Sequence, residues 1–288
     1  MNLLKVTNLN KRYAQFQLRD VSFQLDEGYI MGFIGANGAG KTTTLKCLLN
    51  LTHPDSGKIE MFEQDFGRNE LALKQHIGFM FGGVDYYAAH TLASILDVVK
   101  RFYTDWDDET CRYYMNHFSL NGDKKLKELS DGMRVKFSLV LALSHQARLL
   151  LLDEPTSGLD PVARDDLLEV FQELVEDGKK SILFSTHITS DLEKCADYIT
   201  FIHNGRIIES RSKDDLIDAY RLIKGTLDQL SVLEGKLVSY KTHAFGFTGL
   251  IKSADITHPE KFALDVPSLD DIMIYHVKKE NHDEKSDL

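Results

Sequence analysis

The sequence predicts an α/β fold of the phosphate-binding-loop type: a mostly parallel sheet between helices, with an antiparallel β section before it. An inserted helical section and a small C-terminal αβ appendage complete the expected architecture. Three observations predict it. A continuously apolar run, Tyr29 to Ile34, passes through the glycine-rich Gly35 to Gly40 into Thr42 to Leu49, whose apolar residues return at helical spacing. Two more short apolar runs, Arg148 to Asp153 and Ser181 to Ser185, are separated by a single helical pattern, the alternation that builds a parallel sheet. Between these halves, Thr91 to Phe118 keeps a helical period throughout.

Each element has its own justification. Leu3 to Leu9 and Val21 to Leu25 alternate apolar with polar residues, as half-exposed strands do, and Asp26-Glu27-Gly28 turns the chain into the buried strand that follows. In the helical section the apolar residues fall at Leu92, Ile95, Leu96, Val99 and Phe102, then at Cys111, Tyr114, Met115 and Phe118, with Asp107 placed to cap the second helix. The stripe Leu167, Leu168, Phe171, Leu174, Val175 reads as a helix stopped by Gly178. Tyr198 to His203 and Arg206 to Glu209 flank Asn204-Gly205, a hairpin turn signal, and the α/β domain therefore closes near residue 210, with its helical insert at about 85–140. An appendage at 211–277 follows. Ser212-x-x-Asp215 opens a helix, Gly235 to Val266 reads as a few short strands, and Pro267-Ser268-x-x-Asp271 starts another helix. Residues 278–288, almost wholly polar or charged, are expected to fray.

Composition narrows the function. At 288 residues the chain exceeds the usual domain of about 100 to 200, and 43% hydrophobic with 27% charged residues is the balance of a globular protein. The 34 Lys and Arg against 44 Asp and Glu give 34 − 44 = −10, a field that repels nucleic-acid backbones and anionic lipid, so no direct nucleic-acid partner is expected. The longest apolar runs, Leu149 to Leu152 and the Phe137 to Leu143 region, fall far short of the roughly 18 residues a spanning helix needs. Met1 to Tyr13 lacks the apolar core of a signal peptide. Cys47, Cys111 and Cys195 are odd in number and match no metal spacing, which reads as free thiols in the cytoplasm.

Two motifs carry chemistry. Gly35-Ala-Asn37-Gly38-Ala39-Gly40-Lys41-Thr42 fits G-x-x-x-x-G-K-[ST] and lies between a buried strand and a helix start, where backbone N–H groups of the loop and the helix dipole hold phosphate. Lys41 would reach the terminal phosphates, the Thr42 hydroxyl would ligate Mg²⁺, and Thr43 continues the nucleotide-binding set. Asp153-Glu154 ends an apolar strand, either as a metal ligand followed by a water-activating base or as two solvated acids.

From here the chain resembles the ATPase subunit of an ATP-binding cassette (ABC) transporter, and is similar in layout to the cassettes of Gram-positive peptide, bacteriocin and antibiotic exporters. Asp153-Glu154-Pro155-Thr156-Ser157-Gly158-Leu159-Asp160 matches the family's sequence residue for residue, and Ser185-Thr186-His187 occupies the place of its switch histidine. The resemblance implies that Asp153 holds the metal, Glu154 activates water, His187 contacts the γ-phosphate and Tyr13 stacks on adenine, although Tyr13 also fits an ordinary edge residue. It implies ATP and Mg²⁺ as the bound species, and a dimer, of identical or different cassettes, that drives cargo outward through a separate transmembrane subunit. The subunit would be cytoplasmic, lying on the inner face of the cell membrane.

Two departures from the family pattern stand out. The dimer signature, which touches the partner's γ-phosphate, reads Leu129-Ser130-Asp131-Gly132-Met133 in place of Leu-Ser-Gly-Gly-Gln. Asp131 either opposes that phosphate or caps the helix. After Ile77-Gly78-Phe79-Met80 the chain has Phe81-Gly82-Gly83 where a Gln amide is expected. Phe79, Met80, Phe81, Tyr86 and Tyr87 suit either a surface for the membrane subunit or core packing. The rivals are a non-transport ABC ATPase acting on DNA or ribosomes, and a GTP-dependent switch or small-molecule kinase. The first lacks its long coiled-coil insertion or second cassette here, and the second leaves Leu129 to Met133 and Asp153 to Asp160 unexplained.

Overall fold

The computed structural model describes residues 2–81, 87–233 and 235–286, with side chains described through residue 279. The chain divides into two compact units, Met1–Ser210 and Arg211–Leu288.

In the first unit β1 (Asn2–Arg12) and β2 (Gln17–Asp26) pair antiparallel, with Val6 opposite Phe23 and Leu9 opposite Val21. The chain then enters β3 (Ile30–Ile34) and α1 (Lys41–Leu48), followed by β4 (Ser56–Met61), β5 (Gln64–Asp65), α2 (Phe66–Lys74) and β6 (Ile77–Met80). The helical section supplies α3 (Leu92–Val99), α4 (Asp108–His117) and α5 (Asp131–Ser144). After it come β7 (Leu149–Asp153), α6 (Pro161–Val175), β8 (Ser181–Thr186), α7 (Thr189–Cys195), β9 (Tyr198–His203) and β10 (Arg206–Ser212).

These strands form two sheets, ordered β2-β1-β4-β5 and β10-β9-β3-β8-β7-β6. Between them Leu4, Leu9, Phe23, Phe33, Leu48 and Leu151 share one buried cluster, with the Phe23 and Phe33 rings 5.3 Å apart. All of β3, β7 and β8 is buried, and β3 and Leu149 to Leu152 of β7 read as unbroken apolar runs because both faces of the sheet are covered. The register brings the carboxyl ends of these strands level: Ile34 pairs with Thr186 and Asp153 with Ser185. Every loop that leaves this edge therefore opens onto the same side, the usual ligand side of an α/β sheet. The Asn204-Gly205 turn has φ of 44° and 73°, the paired left-handed geometry of a two-residue hairpin.

The helical stripe holds only in part. Thr91 and Asp107 cap α3 and α4, and Leu92, Ile95, Cys111 and Phe118 are buried, but Phe102 is 71% exposed. The cause is local: α3 ends at Val99 and Lys100–Phe102 form one 3₁₀ turn, whose tighter winding rotates Phe102 out of the stripe. The section is tied to the sheet through Gln75, whose amide donates to the Phe102 carbonyl and accepts from the Thr104 N–H, each at 3.0 Å.

Nearby, His145 is 2% exposed, its ring lies 3.7 Å from that of Tyr103, and its Nδ1 donates to the Gln75 carbonyl at 3.0 Å. Burial pushes the imidazole below its ordinary range, against a smaller opposing effect of the carbonyl hydrogen bonds. A histidine depressed in the folded state binds its proton more readily when unfolded. Its contribution to stability is therefore complete above about pH 6.5 and is lost as pH falls through the depressed folded value. Replacing His145 with Phe should flatten the fall of the thermal midpoint between about pH 7 and 5; an unchanged pH profile would remove His145 as its source.

The second unit contains α8 (Lys213–Asp218), β11 (Tyr220–Gly225), α9 (Leu227–Leu233), β12 (Leu237–His243), β13 (Gly246–Lys252), β14 (Ala263–Asp265) and α10 (Leu269–Ser286). Its sheet runs β12-β13-β11-β14, all antiparallel, around Ile223, Leu233, Phe247 and Ile251. Ser212 and Ser268 start their helices by accepting the Asp215 and Asp271 N–H groups, each at 3.1 Å. The charged residues from 278 continue α10 as far as Ser286, a helix nucleated by packed residues such as Leu269, Ile272 and Tyr275.

Candidate functional site

The loop between β3 and α1 has the backbone that the spacing of its glycines calls for. Gly38 has φ of 81°, and Gly40, the N-cap of α1, has φ of 116°. A Cβ on Gly40 would also stand 2.7 Å from Leu18 Cδ2, so this position excludes other residues twice over. No acidic side chain occupies the first turn of α1, which leaves its N–H groups and positive dipole end to an anion. Lys41 is only 5% exposed, and its Nζ donates to the carbonyls of Gly35 at 2.7 Å and Ala36 at 3.3 Å. The third partner is the Glu154 carboxylate, 3.1 Å away.

The two carboxylates after β7 are held differently. Asp153 is buried, and Thr42 Oγ1 donates to its Oδ2 at 2.8 Å while Ser185 Oγ donates to its Oδ1 at 2.6 Å. Glu154 leaves the strand in the left-handed region, φ 51°, a conformation costly for a residue of its size and one that turns its side chain toward the loop. Its second oxygen meets His187 Nδ1 at 2.8 Å. A carboxylate only accepts, so Nδ1 carries the hydrogen and Nε2 is left for another group. Glu154 thus stands between a buried ammonium and a half-exposed imidazole.

These groups line one cavity of about 620 Å³. Asn37, Gly38, Gly40, Lys41, Thr42 and Thr43 come from the loop, and Glu154, Ser157 and His187 from beyond β7 and β8. Gly35 and Ala39 are buried behind the loop. Tyr13 is 45% exposed and does not line the cavity, its ring instead lying 5.7 Å from the Lys11 ammonium. Gln15 and Phe16 line it in that position. Sequence reasoning missed them, along with Ser157 and Ser185. Phe16 sits three residues past Tyr13 in the same turn, where the Tyr13 N–H bonds to the Phe16 carbonyl, and only its contact with Gly40 singles it out.

Ser130, Asp131, Gly132 and Met133 lie apart from these residues, at the start of α5. With Leu129, Ser130, Asp131 and Gly132 come Gly158 and Asp160, around a separate cavity of about 320 Å³. The cap of α5 is Ser130, whose hydroxyl accepts the Met133 N–H at 3.3 Å. Asp131 is the first helical residue, not the cap; its side chain is 69% exposed and 3.6 Å from the Arg134 guanidinium. Phe79, Met80, Phe81 and Tyr87 line an apolar cavity of about 600 Å³, with Phe79 and Tyr87 exposed rather than packed in the core. Gly82, Gly83 and Tyr86 fall outside the described residues.

Among the described residues no cluster of three His, Cys, Asp or Glu side chains could cage a metal ion. The donor pair Thr42 and Asp153 is instead hard oxygen on one side only, which suits Mg²⁺, an ion that keeps water and phosphate oxygens as its remaining ligands.

Comparison with known proteins places this geometry. Residues 18–157 match the family model described as ABC transporter. The chain is 31% identical to the ABC transporter ATP-binding protein YtrB of Bacillus subtilis (strain 168), over 83% of its length and 82% of that protein. It is 32% identical to the bacitracin transport ATP-binding protein BcrA of Bacillus licheniformis, over 74% and 71%. A solved structure titled as the ATP-binding subunit of an ABC transporter superposes with a TM-score of 0.67 at 29% identity, over 74% of this chain and 91% of the other.

Proposed function

The chain belongs to the ABC transporter ATPase family, an ATP-binding subunit that hydrolyses ATP to drive transport, and from that premise we propose how its residues divide the work. The observation that carries the reading is the convergence of Lys41, Thr42, Glu154 and His187 on one cavity at the carboxyl edge of the sheet, with Asp153 bonded to Thr42. ATP lays its phosphates along Gly35 to Thr43, against the α1 N-terminus and Lys41. Thr42 and Asp153 hold Mg²⁺, which when bound neutralises charge on the phosphate oxygens. Glu154 takes the proton of the attacking water, and His187, positioned by that same carboxylate, presents Nε2 toward the γ-phosphate. In this arrangement the Lys41 ammonium passes from Glu154 to phosphate when ATP binds, and Glu154 is then free to act as a base.

ABC ATPase subunits dimerise and work with transmembrane subunits. No helix among the described residues is long and apolar enough to cross a membrane, so the transport path belongs to a partner. The apolar cavity at Phe79, Phe81, Tyr87 and Phe102 is the docking place we assign to that partner, and it holds the chain at the inner membrane face. Phe16, which lines the cavity where Tyr13 does not, provides the adenine contact. The cargo is a peptide, antibiotic or other amphipathic molecule moved outward, a reading supported by the bacitracin transport relative. Affinity isolation of the full chain from detergent-solubilised membranes tests this: an integral membrane protein should accompany it, and co-isolated ribosomes or DNA would favour the non-transport reading.

The signature has a consequence of its own. With Ser130 as cap, the Asp131 carboxylate is free of that duty, and in a closed dimer it opposes the γ-phosphate held by the other subunit. Asp131→Gly should therefore strengthen ATP-driven dimerisation in a Glu154→Gln background, most at low salt, where the screening length exceeds about 10 Å. Equal dimerisation across a salt series would show that the carboxylate does not face phosphate.

A further inference from the structure

Ser185 stands on β8 directly beside Asp153, at 0% exposure. Its hydroxyl makes two hydrogen bonds of opposite sense. It donates to Asp153 Oδ1 at 2.6 Å and accepts the Glu154 N–H at 3.0 Å, a group that also reaches the Ser185 carbonyl at 3.1 Å. The directions are fixed, since the carboxylate can only accept and the amide can only donate. One hydroxyl therefore grips both acidic residues, the first by its side chain and the second by its backbone.

The consequence follows from what each grip restrains. Asp153 has two oxygens; with Oδ1 taken by Ser185, the carboxylate plane is set so that Oδ2 meets Thr42 Oγ1 at 2.8 Å. Glu154 has φ of 51°, outside the strand geometry of its predecessor, and an ordinary extended residue there would send its side chain elsewhere. On leaving β7 the Glu154 N–H keeps a bond to the Ser185 carbonyl at 3.1 Å, and the hydroxyl adds a second acceptor at 3.0 Å that fixes its direction. Strained backbone persists only where its surroundings over-determine it, and Ser185 supplies that determination.

We propose that Ser185 is a positioning residue for ATP hydrolysis, one hydroxyl that orients the Asp153 carboxylate toward Thr42 and locks Glu154 in the conformation that aims it at Lys41 and His187. The proposal rests on the roles assigned above to Asp153 and Glu154. It makes no new contact with substrate.

The test compares Ser185→Val with Ser185→Thr in the full chain, two side chains of matched shape that differ in the hydroxyl, with Ser185→Ala as the smaller control. Leaving the buried Asp153 Oδ1 unmet costs about 1–3 kcal/mol, so Ser185→Val and Ser185→Ala should lose roughly 5- to 150-fold in kcat, with KM for ATP changed less than about 3-fold. Ser185→Thr should regain most of that loss. A second readout does not depend on turnover: Mn²⁺ affinity, measured by electron paramagnetic resonance with a non-hydrolysable ATP analogue, should fall about 5-fold or more in Ser185→Val and recover in Ser185→Thr. A drop in thermal midpoint without both effects would mean a structural hydroxyl only, and equal impairment of Thr and Val would mean that shape decides. Either result overturns the proposal. Glu154→Gln is measured alongside: if it hydrolyses ATP at the parent rate, the assignment of Glu154 fails, whereas a dead Glu154→Gln beside an active Ser185→Val sinks only the role of Ser185.

Discussion

Replacing Glu154 with Gln should reduce phosphate release by about 10²- to 10⁴-fold while ATP affinity stays within about 3-fold of the parent, since general-base catalysis is lost and phosphate binding is not. The amide keeps the shape but cannot accept a proton from water. The structure adds a second effect. Glu154 accepts from two donors, Lys41 Nζ at 3.1 Å and His187 Nδ1 at 2.8 Å, and an amide can accept through its oxygen from only one of them. Whichever donor meets the NH₂ group is repelled, so His187 should also lose its orientation. A His187→Ala variant measures how much of the loss follows that route. Parental turnover in Glu154→Gln would remove Glu154 as the base.

How much of this was legible in the sequence varies with the kind of constraint. Strand β3 and Leu149 to Leu152 of β7 are continuous apolar runs, and the phosphate loop requires glycine where φ reaches 116°; both leave residue types that cannot be mistaken. The register that levels Asp153 with Ser185 does not. It arises from sheet pairing between residues 32 apart, and nothing in Ser185-Thr186-His187 says which hydroxyl faces the neighbouring strand. Phe16 was hidden for a similar reason, since a turn aromatic shows its partner only once Gly40 is packed beside it. In the second unit β11 and α9 escaped notice because Tyr220 to Leu233 mixes apolar and charged residues without a decisive period, and its sheet is closed by the partners of β11 rather than by β11 itself.

The same distinction separates the signature from the loop. In the loop the glycines set their own turn and Lys41 bonds the Gly35 and Ala36 carbonyls of the same segment, so that motif and geometry coincide. At the start of α5 the sequence leaves Asp131 as either a cap or a charge opposing the partner's phosphate, and one bond, from the Met133 N–H to Ser130 Oγ at 3.3 Å, gives the cap to Ser130 instead. With the cap assigned to Ser130, the Asp131 carboxylate, 3.6 Å from the Arg134 guanidinium, lies exposed at the α5 N-terminus, where electrostatics depend on an approaching surface as well as on this chain.

Lys41→Ala should act on binding where Glu154→Gln acts on turnover. The ammonium is 5% exposed and is held by two loop carbonyls and one carboxylate, so it is a fixed charge inside the cavity rather than a mobile surface lysine. A charge-assisted hydrogen bond of this kind contributes about 1.5–3 kcal/mol, which predicts ATP binding weaker by roughly 10- to 150-fold. Its removal also leaves Glu154 without its cation, and the two anions, carboxylate and terminal phosphate, would then face each other across the cavity unshielded. For that reason Lys41→Ala combined with Glu154→Gln should bind ATP more tightly than Lys41→Ala alone, although neither variant turns over. Titration calorimetry with ATP on the four proteins of this cycle measures the coupling directly. If the two substitutions change the binding free energy additively, Lys41 and Glu154 do not compete around the phosphate, and the transfer of the ammonium from carboxylate to phosphate is not part of the cycle.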